Sequence, residues 1–165
     1  MSAMPAAAQT LLDRPAFWLA SWFGAGLSPL APGTAGTLAA IPLWWVMATY
    51  LEAPGYVLAT VLLLALGVLA ATRVSAAAGL KDPGVVVIDE VVGFLVTMTL
   101  VAPTFRALVL GFLVFRTLDV FKPMGIRQLE RMPGGLGIVM DDFAAGVMGN
   151  LIVRLVIELP PLVQG

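Results

Sequence analysis

An all-α integral membrane protein, a helical bundle with about five spanning or re-entrant helices, is the fold class this sequence predicts. Three observations carry that expectation. Of 165 residues, 60% are hydrophobic, against roughly 45–50% in an average soluble chain. Only 12% are charged, about half the usual quarter, and the mean hydropathy of +0.99 exceeds what a soluble surface of this size can carry. The apolar residues also gather into runs near the length a bilayer demands, about 20 residues for a helix crossing roughly 30 Å of hydrocarbon.

The chain reads as one domain, 1–165, with residues 1–14 expected to form a flexible tail that lacks the basic start of a secretory signal. Pro15–Phe23 carries Phe17, Trp18, Trp22 and Phe23, the aromatic content of an interfacial helix or a re-entrant segment. Gly36–Leu51 is uncharged and slightly short for a span; Thr34 and Thr37 suit its start as caps and Tyr50 suits an interfacial end. Ala53–Thr72 supplies a full span without a charge. Gly84–Val101, Thr104–Phe121 and Leu136–Ile157 complete the set, but each holds ionisable residues, so charge position decides them.

With five spans, Arg14, Arg73, Lys81, Lys122, Arg127 and Arg131 fall on one side and Arg116 near it, whereas the opposite loops hold Glu52 and, close by, Arg106. The excess of Lys and Arg makes the first side cytoplasmic. Four spans, with the aromatic segment inserted differently, is the alternative arrangement.

Composition also excludes. Nine basic against ten acidic residues leave a net charge of −1, no field for nucleic acid. Cysteine and histidine are absent, which removes disulfides, thiolate nucleophiles, Cys/His zinc sites, phosphohistidine intermediates and imidazole bases. Chemistry is left to carboxylates, hydroxyls, Arg and Lys.

The five-span topology sends the acids to one surface. Asp82, Asp89 and Glu90 fall at the start of the third span, Asp119 at the end of the fourth, and Asp141 and Asp142 at the start of the fifth. Asp82, Asp89 and Gly93 recur at seven and four residues, and Arg116, Asp119 and Lys122 at three, so each set faces one way. Asp142, Gly146 and Asn150, flanked by Ala145 and Gly149, form a small-residue face suited to close packing in lipid. Carboxylates crowded at the low-dielectric edge of a bilayer repel unless a cation neutralises them. Oxygen ligands without His or Cys suit Mg²⁺ or Mn²⁺.

Plainer roles exist for several of these residues. Asp82-Pro83 can be a turn initiator, Asp141-Asp142 a helix cap, and Arg116–Asp119 a structural bridge. Adjacent acids at Asp89-Glu90 inside an apolar run have no such inexpensive role. Gly33-Thr34-Ala35-Gly36-Thr37 offers amides and hydroxyls able to hold phosphate oxygens at a helix start, and a capped helix explains it equally. A divalent-cation or proton-coupled carrier is the competing class, since intramembrane acids also mark ion pathways; its acids would be spread across the membrane.

Taken in order, Gly26-Leu27-Ser28-Pro29 with Pro32–Thr37, Asp82-Pro83 with Val87–Gly93, Phe115–Pro123, and Gly134–Gly146 resemble the bacterial phosphatidylglycerophosphatase A family. The resemblance runs from Gly24 to Gly146. It implies an all-helical, Mg²⁺-dependent lipid phosphatase of the bacterial cytoplasmic (inner) membrane that converts phosphatidylglycerophosphate to phosphatidylglycerol and phosphate. Asp82, Asp89, Glu90, Asp141 and Asp142 would bind metal, with Asp119 a ligand or base. Arg116 and Lys122 would hold phosphate oxygens, and Thr34 and Thr37 would orient the phosphate.

Overall fold

The computed structural model describes residues 15–123 and 125–158; the expected tail, 1–14, lies outside them. Among the described residues all regular structure is helical: α1 (Pro15–Ala20), a 3-10 turn (Ala25–Leu27), α2 (Pro32–Tyr50), α3 (Ala53–Ala78), α4 (Ile88–Thr97), α5 (Phe105–Phe121), a 3-10 segment (Ile126–Arg131) and α6 (Gly135–Glu158).

The aromatic segment is a single helical turn and a half, tucked inward. Phe17 and Ala20 are buried, the Val87 amide donates to the Ala20 carbonyl at 2.8 Å, and Trp22 Nε1 donates to the Ala39 carbonyl at 3.1 Å. Helix α2 starts at Pro32, earlier than the expected Gly36, because a proline with its fixed φ is well placed in a first turn. Neither threonine caps it, contrary to the sequence expectation. The N-cap is Ala31, without a side-chain cap bond, and Thr37 Oγ1 donates back to the Gly33 carbonyl at 2.9 Å.

Helix α3 runs past the expected Thr72 to Ala78 and stops where Gly79 takes φ 65°, a left-handed turn that glycine adopts without a Cβ clash. Helix α5 begins as expected: Thr104 is its N-cap and its side chain accepts from the Ala107 amide at 3.2 Å. Helix α6 starts at Gly135, whose amide donates to Thr72 Oγ1 at 2.8 Å.

The third expected span is corrected. Gly84–Val101 does not form one spanning helix; only Ile88–Thr97 is helical. Ten residues rise about 15 Å, half the roughly 30 Å hydrocarbon thickness. Every residue from Val91 to Thr97 is buried, so α4 is hydrophobic all round because it is the centre of the bundle. Its last carbonyls, which no further turn can satisfy, are met from neighbours. Tyr56 Oη donates to the Leu95 carbonyl at 2.7 Å, and Asn150 Nδ2 donates to the carbonyls of Thr97 and Thr99 at 2.9 and 2.8 Å.

The small-residue face of α6 is what lets α4 sit so close. A Cβ on Gly146 would lie 2.5 Å from the Gly93 carbonyl oxygen, and one on Gly93 would lie 2.7 Å from that of Asp142. By length and composition, α3 and α6 are able to cross a membrane. Their outer faces are apolar and exposed, with Leu58, Leu62, Leu66 and Leu69 on α3 and Leu151, Leu155 and Val156 on α6.

Candidate active site

At one end of the bundle, the starts of α4 and α6 meet the end of α5 and the loops before and after them around a cavity of about 180 Å³. The sequence-predicted acids Asp82, Asp89, Glu90, Asp119, Asp141 and Asp142 all line it, together with Lys122. Gly93 and Gly146, by removing side chains where α4 meets α6, bring the first turn of α4, with Asp89 and Glu90, beside Asp142, which lies farther along α6. Asp89, Glu90 and Asp142 each place an oxygen within 4.8 Å of the others.

This trio is chemically incomplete. Asp89 Oδ1, Glu90 Oε2 and Asp142 Oδ2 are buried and have no hydrogen-bond partner in the protein, a costly condition for carboxylate oxygens. Hard oxygen donors at this spacing fit a divalent cation such as Mg²⁺. The donor set contains no nitrogen or sulfur that would favour a softer metal.

The cations are fastened to the remaining acids. Arg116 Nη1 donates to Asp119 Oδ2 at 2.5 Å and lies 4.0 Å from Glu90 Oε1, so the bridge that spacing suggested is present and reaches toward the trio. Lys122, at the left-handed C-cap of α5 with φ 43°, donates to Asp141 Oδ2 and, at 3.0 Å, to Glu130 Oε1. Burial disfavours its charge, but the hydrogen bonds and charges of Asp141 and Glu130 outweigh that and raise its pKa above the ordinary lysine range. Seven carboxylates face Lys81, Lys122 and the adjoining Arg116, a formal excess of four negative charges at this end.

One residue of the site, Glu130, escaped the sequence reading. Glu130 lines the cavity and shares Lys122; its only signal was an acid in the Gly125–Pro133 loop after a lysine. Gly33, in the segment expected to offer amides to phosphate oxygens, instead has its backbone against the site's side chains: a Cβ there would come 2.1 Å from Glu90 Oε1 and 3.3 Å from Arg116 Nη1. The two threonines beside it do not line the cavity. Thr37 is fully buried with its hydroxyl given to Gly33, while Thr34 is half-buried.

Residues 18–157 match the profile of a family described as phosphatidylglycerophosphatase A. The chain is 40% identical over 147 residues to phosphatidylglycerophosphatase A of Escherichia coli K12, covering 88% of this chain and 85% of that protein. It is 33% identical over 144 residues to the Haemophilus influenzae protein of the same name, covering 86% and 88%. A Bacteroides thetaiotaomicron protein, provisionally named a phosphatidylinositol-3-phosphatase, is 35% identical over 154 residues, covering 87% and 96%. No solved structure matches.

Proposed function

Because this chain belongs to the phosphatidylglycerophosphatase A family, we propose that its reaction is the hydrolysis of phosphatidylglycerophosphate to phosphatidylglycerol and inorganic phosphate in phospholipid synthesis. The observation that carries this reading is the unpartnered trio Asp89, Glu90 and Asp142 beside Arg116 and Lys122. That pattern suits a phosphomonoester, whose charge needs cations and whose hydrolysis needs a positioned water.

Asp89, Glu90 and Asp142 hold a divalent cation, with Asp82 and Asp141 nearby to complete its surroundings; we take it to be Mg²⁺. Bound there, Mg²⁺ supplies charge neutralisation at the phosphoryl oxygens and acidifies water. Arg116 presents its remaining N–H groups to the phosphate as a fork, and Lys122 adds a point charge. Asp119 accepts the proton of the attacking water as the new P–O bond forms. The P–O bond to the glycerol breaks, and that oxygen takes the proton that Asp119 accepted to become the free hydroxyl. Thr37 braces the first turn of α2 from within through its bond to the Gly33 carbonyl; neither it nor Thr34 lines the cavity, so the phosphate is left to Arg116 and Lys122.

The bundle sits in the bacterial cytoplasmic membrane as a multi-pass protein, its exposed leucine faces toward lipid. The acidic end faces the cytoplasm, since Lys81, Lys122, Arg127 and Arg131 belong to the loops there. The carrier alternative is not favoured, because Asp82, Asp89, Glu90, Asp119, Asp141 and Asp142 gather at one end and are not spread along the helices.

Phosphate release from detergent-solubilised pure protein tests the reaction. Phosphatidylglycerophosphate should be turned over in preference to phosphatidylinositol 3-phosphate. Asp89→Asn and Glu90→Gln should fold and accumulate normally, yet each should lose about 2–4 kcal/mol of transition-state stabilisation, roughly a hundredfold or more in rate. Near-wild-type rates in well-folded variants would remove these residues from the mechanism.

A further inference from the structure

The wall formed by α6 and the Ile126–Arg131 segment has two chemically opposite faces. One carries Glu130, Asp141 and Asp142 into the acidic cavity. The other lines an open groove of about 530 Å³ with Ile126, Leu129, Met140, Phe143, Val147 and Met148. On α6 these positions recur at three, four, seven and eight residues, so a single apolar stripe begins at the depth of the acids and descends about 12 Å along the helix.

We propose that this groove seats an acyl chain of the lipid substrate while its phosphorylated head group bends over the Ile126–Arg131 segment into the acidic cavity, a placement that rests on the lipid phosphatase reading. The groove and the cavity share both of their wall elements, so a lipid lying along one has its head group at the mouth of the other. No polar side chain lines the groove, which fits hydrocarbon and leaves a head group no competing site. A chain moving from bilayer to groove gains little hydrophobic energy, since lipid tails are as apolar as the groove. Its contribution is orientation: fixing the chain presents the phosphate at the right depth and angle. Phe143 and Met148 are suited to an irregular chain, one by ring area and the other by its flexible thioether.

A second apolar depression, between Leu38 on α2 and Leu108 and Phe112 on α5, serves as the control. Its α5 residues lie nine or more positions before Lys122, about 13 Å or more along the axis.

The test compares two substrates, long-chain phosphatidylglycerophosphate and its deacylated, water-soluble head group, in Ala144→Trp, which fills the groove, and Leu108→Trp, which fills the control depression. Ala144→Trp should lower the ratio of kcat/KM for the lipid over the head group by tenfold or more, and Leu108→Trp should change it less than twofold. An unchanged ratio in Ala144→Trp, or a larger fall in Leu108→Trp, overturns the placement; general damage lowers both rates together and so counts against it. Phosphatidylglycerol with a diazirine in one acyl chain gives a readout independent of turnover. Crosslinks should concentrate on Met140–Met148 and fall several-fold in Ala144→Trp, whereas equal labelling of the α2–α5 depression refutes the groove. Wild-type protein inert toward both substrates would refute the phosphatase reading alone, with the crosslinks still deciding the groove.

Discussion

Gly33 and Glu90 touch across two helices: a Cβ added to Gly33 would stand 2.1 Å from Glu90 Oε1 and 3.1 Å from its Cδ. The glycine at the head of α2 therefore fixes where the carboxylate of α4 can lie.

Gly33→Ala should leave the fold intact or slightly firmer, because the clash is with the end of a side chain and alanine favours a helix over glycine by about 0.5–1 kcal/mol. Glu90 must move away, and a displacement near 1 Å in a catalytic group costs up to roughly a hundredfold. The expected signature is an unchanged or raised Tm with at least a tenfold loss of phosphate release. Gly93→Ala should differ, since its Cβ would lie 2.7 Å from the Asp142 backbone oxygen; there Tm itself should fall. Full activity in Gly33→Ala would show that Glu90 is not held by this contact.

Lys122 and Asp141 form the second test. The Asp141 side chain is 4% exposed, so Lys122→Met strands a buried carboxylate and should cost about 3–5 kcal/mol. Lys122→Met with Asp141→Asn should recover most of that stability and none of the activity. The lysine pKa is raised, so the lysine's share of this stability is present below its ordinary value of about 10.4 and is lost as pH rises through the folded value. Urea or thermal unfolding of the three variants reads the stability. Recovery of activity in the double variant would remove Lys122 from phosphate binding.

Asn150 is expected to act on stability alone. Asn150→Ala leaves the Thr97 and Thr99 carbonyls without their donor at the buried end of α4, a loss of about 1–2 kcal/mol. Asn150→Asp should be worse, because it sets an acceptor against two acceptors. Tm should fall in that order while the rate per folded molecule stays near wild type. A selective loss of rate with Tm unchanged would give Asn150 a role in the chemistry instead.

Much of this architecture is written in the chain, and its gaps have physical causes. Ala53–Thr72 is legible because an uncharged run of span length has few alternatives, and Leu136–Ile157, which holds Asp141, Asp142 and Arg154, becomes legible once charge position is added; both lie within long helices. The acids were legible because carboxylates in apolar runs need a purpose. Gly84–Val101 misled because composition reports burial without saying what does the burying: a helix packed on all sides by protein looks like one packed by lipid. Glu130 and the caps supplied by Tyr56 and Asn150 were invisible because each acts on a partner fixed only by tertiary packing, as with Asn150 on Thr97, 53 positions away. The threonine caps failed because Pro32 opens the helix before them.

Sidedness is open to direct labelling, since the chain contains no cysteine. Single cysteines at Ala77 and Gln128, both exposed near the acidic end, should resist an impermeant thiol reagent added to intact cells and react after permeabilisation. Labelling of both from outside would put the site on the opposite face of the membrane.

Asp89, Glu90 and Asp142 are arranged to hold a cation, and phosphate release from phosphatidylglycerophosphate across a titration of free Mg²⁺ measures its role. Metal-stripped protein in chelator should be inactive, with activity returning saturably as Mg²⁺ is added. Undiminished release after exhaustive metal removal would contradict the account.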